Sequence, residues 1–157
     1  AASCGGRAVI NVKIKLVEPF ATMPTKAHDT DACFDLYAPT GARKGDFFWV
    51  PAHSSVMVDL GFATEIPEGY FAAVFARSGI ASKKHLRPAN CVAVIDAGYR
   101  GVWKLPLHND SDQDQMVSYG DRIAQFCILP VLETNLSLVD SLDETDRGEG
   151  GFGSSGQ

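Results

Sequence analysis

Asp96 is the residue whose type and position most clearly suit acid–base chemistry. It follows the apolar pair Val94 and Ile95 and precedes an Ala-Gly turn, so it is predicted to end a strand and enter a hairpin. A carboxylate there commonly accepts hydrogen bonds from the turn amides. Beside an anion-binding loop it could instead act as a general base. Tyr99, in the same turn, suits either a buried core position or an exposed one where its ring offers a flat surface for a nucleobase.

A second candidate site begins at Arg77, Ser78 and Gly79, which follow a predicted strand and open the one predicted helix, residues 79–85. The free amides at a helix start attract anions, whereas Ser78 also suits an ordinary helix cap, and this motif alone favours the cap. Residues 77–95 contain four basic residues and no acid. The stretch is therefore either a site for one small anion or a solvated basic face.

The last eleven residues, 147–157, read RGEGGFGSSGQ and contain a GxGxxG pattern. A dinucleotide-binding fingerprint needs a strand before it and a helix after it, and neither is predicted here. Glycine amides can still form an anion-binding concavity, to which Ser154 and Ser155 add hydroxyls and Arg147 adds a guanidinium group. The aromatic ring of Phe152 would be stabilised by packing on a flat apolar surface. This segment is either a flexible tail or a mobile arm that binds a phosphate group.

The composition indicates a single domain, because the chain has 157 residues and 45% of them are hydrophobic. No apolar run approaches the roughly 18–20 residues of a membrane helix, so we expect no membrane association. The four cysteines are far apart and form no CxxC pair. We therefore expect neither a disulfide framework nor a zinc site, and a reducing compartment inside the cell: the cytoplasm, the nucleus or an organelle.

The net charge of −5 is concentrated near the end of the chain, where residues 140–149 hold five acids and one base, a sum of −4. An acidic chain of this kind is a poor binder of nucleic acid, and we expect no such partner.

Short segments of alternating or continuous apolar residues, separated by turn signals, predict an all-β sandwich or barrel. Residues 10–16 alternate most clearly between apolar and polar side chains. The other predicted strands cover residues 34–38, 47–50, 55–64, 70–76, 92–95, 102–107 and 122–131. We expect an unassigned leader over residues 1–9, a barrel core over residues 10–139 and a glycine-rich arm over residues 140–157.

Five segments, taken together and in this order, resemble the trimeric dUTPase family (deoxyuridine 5′-triphosphate nucleotidohydrolase). They begin at Ala32, Ala76, Asn90, Gly120 and Arg147 and read ACFDLYA, ARSGIA, NCVAVIDAGYRG, GDRIAQ and RGEGGFGSSG. Some positions depart from the family pattern. A glycine is frequent where Cys33 stands, and also where Ala93 stands before Val-Ile-Asp. Many members have a second acid at Gly98, and threonine is usual at Ser155.

The resemblance implies a jelly-roll-like distorted β-barrel that hydrolyses dUTP to dUMP and pyrophosphate, which keeps uracil out of DNA and supplies dUMP for dTMP synthesis. Asp96 matches the carboxylate that activates the attacking water, and Asp35 matches a carboxylate that holds waters of a bound Mg²⁺ ion. The implied substrate-binding residues are Arg77, Ser78, Gly79, Asn90, Val94, Ile95, Tyr99, Gln125, Arg147, Phe152, Gly153, Ser154 and Ser155.

The resemblance also implies a homotrimer in which each active site is shared between chains. The third motif of one chain would face the second motif of another, and the arm of the third chain would close over both. Two alternatives remain at this point. A dCTP deaminase has the same fold but uses a glutamate in the catalytic hairpin, and residues 90–109 contain none. The other alternative is a regulatory binding module without catalytic activity.

Overall fold

The computed structural model describes residues 9–39 and 45–151. Their secondary structure consists almost wholly of short strands, together with one seven-residue helix, α1. The elements in chain order are β1 Lys13–Leu16, β2 Phe34–Tyr37, β3 Phe47–Val50, β4 Ser55–Asp59, β5 Phe62–Glu65, β6 Tyr70–Phe75, α1 Ser78–Lys84, β7 Leu86–Pro88, β8 Ala93–Asp96, β9 Lys104–Asn109, β10 Gln115–Ser118 and β11 Arg122–Pro130. The predicted all-β class is confirmed.

The largest sheet has the strand order β2-β11-β6-β8, and all of its pairings are antiparallel. A three-stranded sheet has the order β4-β9-β7, and two-stranded sheets join β1 to β5 and β10 to β3. The long strand β11 pairs with both β2 and β6, so it lies between the segments that carry the predicted site residues. The strand β8 pairs only with β6 in this sheet and is therefore an edge strand.

Aromatic and aliphatic side chains from several strands form a single core. The fully buried Trp103 lies at its centre, with its ring centroid 5.1 Å from that of Phe62 and 5.0 Å from that of Phe126. Its indole Nε1 donates a hydrogen bond of 3.0 Å to the Thr64 hydroxyl, which satisfies the only polar atom of the side chain. This contact joins β5 to the chain just before β9.

The predicted strand 55–64 is wrong as a continuous element, because the chain turns between β4 and β5. Gly61 adopts a φ of +72°, and its amide donates a hydrogen bond of 2.8 Å to the Asp59 carboxylate. A Cβ at this position would lie 2.9 Å from the Phe20 ring, so a side chain is excluded on both conformational and steric grounds. The turn lets β4 and β5 join different sheets.

Other boundaries also differ from those predicted. The helix covers Ser78–Lys84 rather than residues 79–85, because His85 adopts a left-handed conformation with a φ of 55° and ends it. The strands β7 and β10 were not predicted. The first has only three residues and ends in a proline, and the second contains only two apolar residues, Met116 and Val117.

Beyond Pro130 the described chain forms neither strand nor helix, and residues 131–149 are exposed. Its leucines remain in contact with solvent: Leu132, Leu136, Leu138 and Leu142 are between 82% and 102% exposed. The proposed boundary between core and arm at residue 139 stays a prediction. In the described part of the chain, no helix has the length and apolar character needed to cross a membrane.

Candidate active site

Asp35 and two arginines form an ionic cluster at one end of the largest sheet. The Arg77 Nε donates a hydrogen bond of 2.6 Å to Asp35 Oδ1, and Arg122 Nη1 lies 3.3 Å from Oδ2. The Asp35 side chain is only 10% exposed and that of Arg77 24% exposed, so these charges are partly shielded from water. The cluster fixes the Arg77 guanidinium group beside the start of α1.

Arg77 itself occupies the N-cap position of α1, with extended φ and ψ angles of −95° and 139°. No side chain caps this helix, so the predicted role of Ser78 as an ordinary cap is wrong. Ser78 is instead the first helical residue, and it is exposed together with Gly79. The Ser78 hydroxyl and the amides of the first helical residues are therefore exposed to solvent next to each other.

A cavity of about 250 Å³ lies beside this helix start, lined by Arg77, Gly79, Ile80, Lys83, Lys84, Asp121 and Arg122. Its lining carries four cationic side chains and one carboxylate. Lys84 Nζ is fixed by the Met116 carbonyl at 2.7 Å and by Asp121 Oδ2 at 3.3 Å. The excess of positive charge makes this cavity suited to a polyanion.

Gln125 supports the cluster from β11. Its side-chain Nε2 donates a hydrogen bond of 2.9 Å to the Ala76 carbonyl, the residue before Arg77. One N–H of the amide therefore fixes the strand-to-helix connection, which leaves the second free for another acceptor. Its assignment as a substrate contact stays a prediction.

The hairpin that follows β8 carries Asp96 and Tyr99. The Asp96 carbonyl accepts a hydrogen bond of 3.1 Å from the Tyr99 amide, which closes the turn. The Tyr99 hydroxyl donates to the Val102 carbonyl at 3.1 Å, and a Cβ on Gly101 would lie 2.6 Å from Tyr99 Cζ. The ring thus lies against a glycine that leaves it room.

The Asp96 side chain is exposed, and no group within residues 9–39 and 45–151 forms a hydrogen bond or ion pair with its carboxylate. The turn amide is bound by the main chain, so the ordinary role of this aspartate as a turn acceptor is not realised here. The carboxylate is free to accept a proton or to orient a water molecule.

Asn90 lies in the loop that leads into β8, and Arg87 holds this loop. The Arg87 guanidinium forms two hydrogen bonds with Asp110, at 2.6 and 2.9 Å, and its Nη1 donates to the carbonyls of Pro88 and Ala89. The hydrogen bonds from Arg87 lower the pKa of Asp110 from its usual value. Arg87 was predicted only as part of a basic stretch, and here it positions the residues before Asn90.

The two groups of candidate residues lie far apart within one chain. Asp96 pairs with Phe71 at the start of β6, whereas Asp35 is level with Gln125 and Phe75 at the other end. Asp96 is displaced from Asp35 by four residues along the strands and by three inter-strand spacings across the sheet, and each displacement amounts to about 14 Å. The two residues are therefore about 20 Å apart. A single chain therefore does not bring Asp96 to the cationic cavity.

The described residues do not provide a metal site by themselves. They contain no group of three or more histidine, cysteine, aspartate or glutamate side chains able to hold an ion. Asp35 is already paired with two arginines, but each carboxylate oxygen can accept a further hydrogen bond. This environment fits a Mg²⁺ ion whose direct ligands are phosphates and water, and it does not fit one bound by protein alone.

Arg147 lies in an exposed turn, close neither to the Asp96 hairpin nor to the cationic cavity. Its Nε donates to the Gly150 carbonyl at 2.9 Å, and the hydrogen bonds of the neighbouring residues are equally local. The predicted contacts from Phe152, Gly153, Ser154 and Ser155 lie outside the described residues.

Comparison with known proteins identifies the family. The family model for dUTPase matches residues 20–156. The chain belongs to the dUTPase family. It is 42% identical to the deoxyuridine 5′-triphosphate nucleotidohydrolase of Escherichia phage T5, covering 92% of this chain and 98% of the relative. The Arabidopsis thaliana enzyme of the same name is 38% identical and is covered to 82%.

Solved structures confirm the jelly-roll-like dUTPase fold. The dUTPase of Staphylococcus bacteriophage 80alpha, solved with dUpNHpp, superposes with a TM-score of 0.81 at 28% identity, covering 94% of this chain and 99% of that one. A mutant of the dUTPase from S. aureus phage phi11 superposes with a TM-score of 0.71 at 25% identity, covering 83% of this chain and 97% of that one, and its structure shows the coordination of a structural Mg(II) ion.

Proposed function

We propose that this chain hydrolyses dUTP to dUMP and pyrophosphate, through attack of water on the α-phosphorus in line with the departing pyrophosphate. The observation that carries the proposal is the cationic cavity at the start of α1 in a member of the dUTPase family. The excess of basic over acidic side chains there suits the negative charge of a triphosphate. Phosphoryl transfer depends mainly on such positioning and charge neutralisation.

Asp96 acts as the general base in this proposal. Its carboxylate is exposed and bound by no described group, so it can orient a water molecule and take its proton. A base positioned in this way contributes about 10²–10⁴-fold to the rate. The phosphate contacts come from Arg77, from Ser78 and from the amide of Gly79, while Gln125 holds their connection in place.

The active site is shared between chains, because Asp96 lies about 20 Å from Asp35, the partner of Arg77, in one chain by the spacing of its strands. A homotrimer provides one site at each contact, with Asp96 from one chain and the cationic cavity from its neighbour. The exposed leucines of residues 131–142 support this assembly, since several large apolar side chains exposed in one segment are typical of a protein–protein contact. Arg147 and the residues after it would close over the bound triphosphate.

The uracil base is read by the main chain of β8 and by Asn90. Because β8 is an edge strand, the N–H and C=O groups of every second residue point away from β6. These groups can form hydrogen bonds with the edge of a nucleobase. Val94 and Ile95 lie in this strand, and Tyr99 follows it. The Tyr99 ring would pack on the deoxyribose and leave no room for a 2′-hydroxyl group.

Mg²⁺ belongs to the proposal as an ion that arrives with the nucleotide, and Asp35 is the residue that would hold its waters. When bound, the ion neutralises phosphate charge and orients the chain of phosphates. The residues of this chain would bind and orient the same phosphate groups. Asp35 also holds Arg77 and Arg122 in place through its hydrogen bonds.

The test is an incubation of the purified chain with dUTP, dCTP or UTP in the presence of Mg²⁺, with pyrophosphate and ammonia both measured. Pyrophosphate from dUTP, with little from the other two, is the expected result. Ammonia from dCTP would identify a deaminase instead. Binding of dUTP without any product would identify a regulatory module and overturn the catalytic assignment.

A further inference from the structure

Cys33, directly before β2, and Cys127, in β11, lie next to the end of the β2–β11 pairing. The last pair of this register is Phe34 opposite Phe126, and the two cysteines are the next residue along each chain. Both side chains are partly buried, and Cys127 is close enough to Cys33 to raise the pKa of its thiol. The two cysteines are 94 positions apart in the sequence, and the pleated sheet alone brings them together.

The register of the two strands, continued by one residue, suits a disulfide. The Asp35 amide donates to the Thr25 carbonyl at 2.7 Å, so the polar backbone groups of Asp35 point away from β11 and Asp35 and Gln125 form a non-hydrogen-bonded pair. Because this state recurs at every second residue of a ladder, Cys33 and Cys127 stand at the next such position. The Cα atoms of a non-hydrogen-bonded pair are typically about 4.5 Å apart, within the roughly 4.4–6.8 Å that a disulfide spans.

We propose that Cys33 and Cys127 are a redox-sensitive pair that forms an intrachain disulfide with a low-molecular-weight disulfide as oxidant. One thiolate attacks the oxidant, forms a mixed disulfide and releases the first small thiol. The second cysteine then attacks the protein sulfur of that mixed disulfide and releases the second small thiol. Two protein thiols are oxidised by two electrons, and the oxidant is reduced to two thiols, which carry the protons.

Thiol–disulfide exchange proceeds through a thiolate, so the reaction is expected to be faster at alkaline pH.

The bond would brace the edge of the sheet that carries Asp35. Cys33 lies two residues before Asp35 and Cys127 two residues after Gln125, so both thiols lie on the face of these two side chains. A covalent link at this place holds β2 against β11 and thereby keeps the Asp35–Arg77 pair in position. Closing a loop of this length predicts a rise in the melting temperature of roughly 5–15 °C.

The experiment treats the full chain with oxidised glutathione at pH 8.5, blocks free thiols and digests it with trypsin without reduction. Every cysteine falls in a different tryptic peptide: residues 1–7, 27–43, 85–100 and 123–147. The expected product links peptides 27–43 and 123–147 within one chain, with a loss of two titratable thiols, and the link disappears after reduction. Linkage through Cys91 or Cys4, linkage between chains, or retention of all thiols would overturn the proposal.

Two variants serve as matched controls. Cys33→Ser is expected to lose the link and the rise in melting temperature, whereas Cys91→Ser, at an exposed position, is expected to keep both. The peptide map of the unaltered chain decides the pairing even if Cys33→Ser folds poorly. A link that forms without any change in melting temperature would refute the claim that it braces β2.

Discussion

The separation of Asp96 from Arg77 predicts that two inactive variants of this chain can restore activity to each other. Asp96→Asn removes the proposed general base and leaves the cationic cavity intact. Arg77→Gln removes the guanidinium group, but the amide can still donate a hydrogen bond to Asp35. In a trimer with shared sites, a mixed assembly contains some contacts where an intact Asp96 meets an intact Arg77.

The expected activity follows from the geometry. Asp96→Asn alone should lose about 10²–10⁴-fold in kcat. Arg77→Gln alone should lose roughly 10- to 150-fold, because a hydrogen bond to a charged group contributes about 1.5–3 kcal/mol. The two variant chains are mixed in equal amounts and assemble at random. Each site then has a probability of about one half of receiving an intact Asp96 and of about one half of receiving an intact Arg77. About one quarter of the wild-type activity is therefore expected to return.

The assay unfolds the two variants together, refolds them and measures pyrophosphate release from dUTP. The control refolds each variant separately and combines them immediately before the measurement, which should give no more than the mean of the two. Melting curves of each variant verify that both fold. Activity of the co-refolded mixture that stays at the control value would refute the shared site and the strand arithmetic behind it.

Three further predictions concern single residues and the arm. Tyr99→Ala should bring the kcat/KM for UTP closer to that for dUTP, measured in parallel assays, and an unchanged ratio would remove this ring from sugar discrimination. A chain ending at Thr145 should keep its melting temperature and lose most of its turnover, because residues 131–149 are exposed; a large drop in the melting temperature would contradict this. Asn109→Ala should lower the free energy of unfolding by about 2–4 kcal/mol in urea titrations, because its buried amide donates hydrogen bonds to the carbonyls of Val50 and Gln113, and both bonds would be lost. Little or no change in that variant would show that water replaces the lost donor.

The strands with a clear local pattern were predictable from the sequence. Residues 47–50 match β3 in full, since four apolar residues stand between polar segments. The turn at Gly61 was missed because the apolar pattern continues across it. The strand β10 was missed because its Gln-Met-Val-Ser sequence has little strand character, and its pairing with β3, more than 60 residues earlier, supplies what the local sequence lacks.

The candidate site residues could be proposed one by one from the sequence, whereas their arrangement could not. Asp96, Arg77 and Asp35 were identified from their neighbours in the sequence. The pairing of Asp35 with Arg77 and Arg122 joins residues 42 and 87 positions apart, which no local spacing indicates. The same holds for Cys33 and Cys127. Their distance in the sequence argued against a disulfide, whereas an antiparallel register places them side by side.

The exposed leucines beyond β11 have a practical consequence for anyone who handles this chain. If the proposed trimer buries these leucines, association removes the free-energy cost of their hydration, and the balance between separate and assembled chains shifts with concentration. Turnover per milligram should therefore fall on dilution and recover when the sample is concentrated. Rate constants taken from very dilute samples would then describe a mixture of species rather than one enzyme.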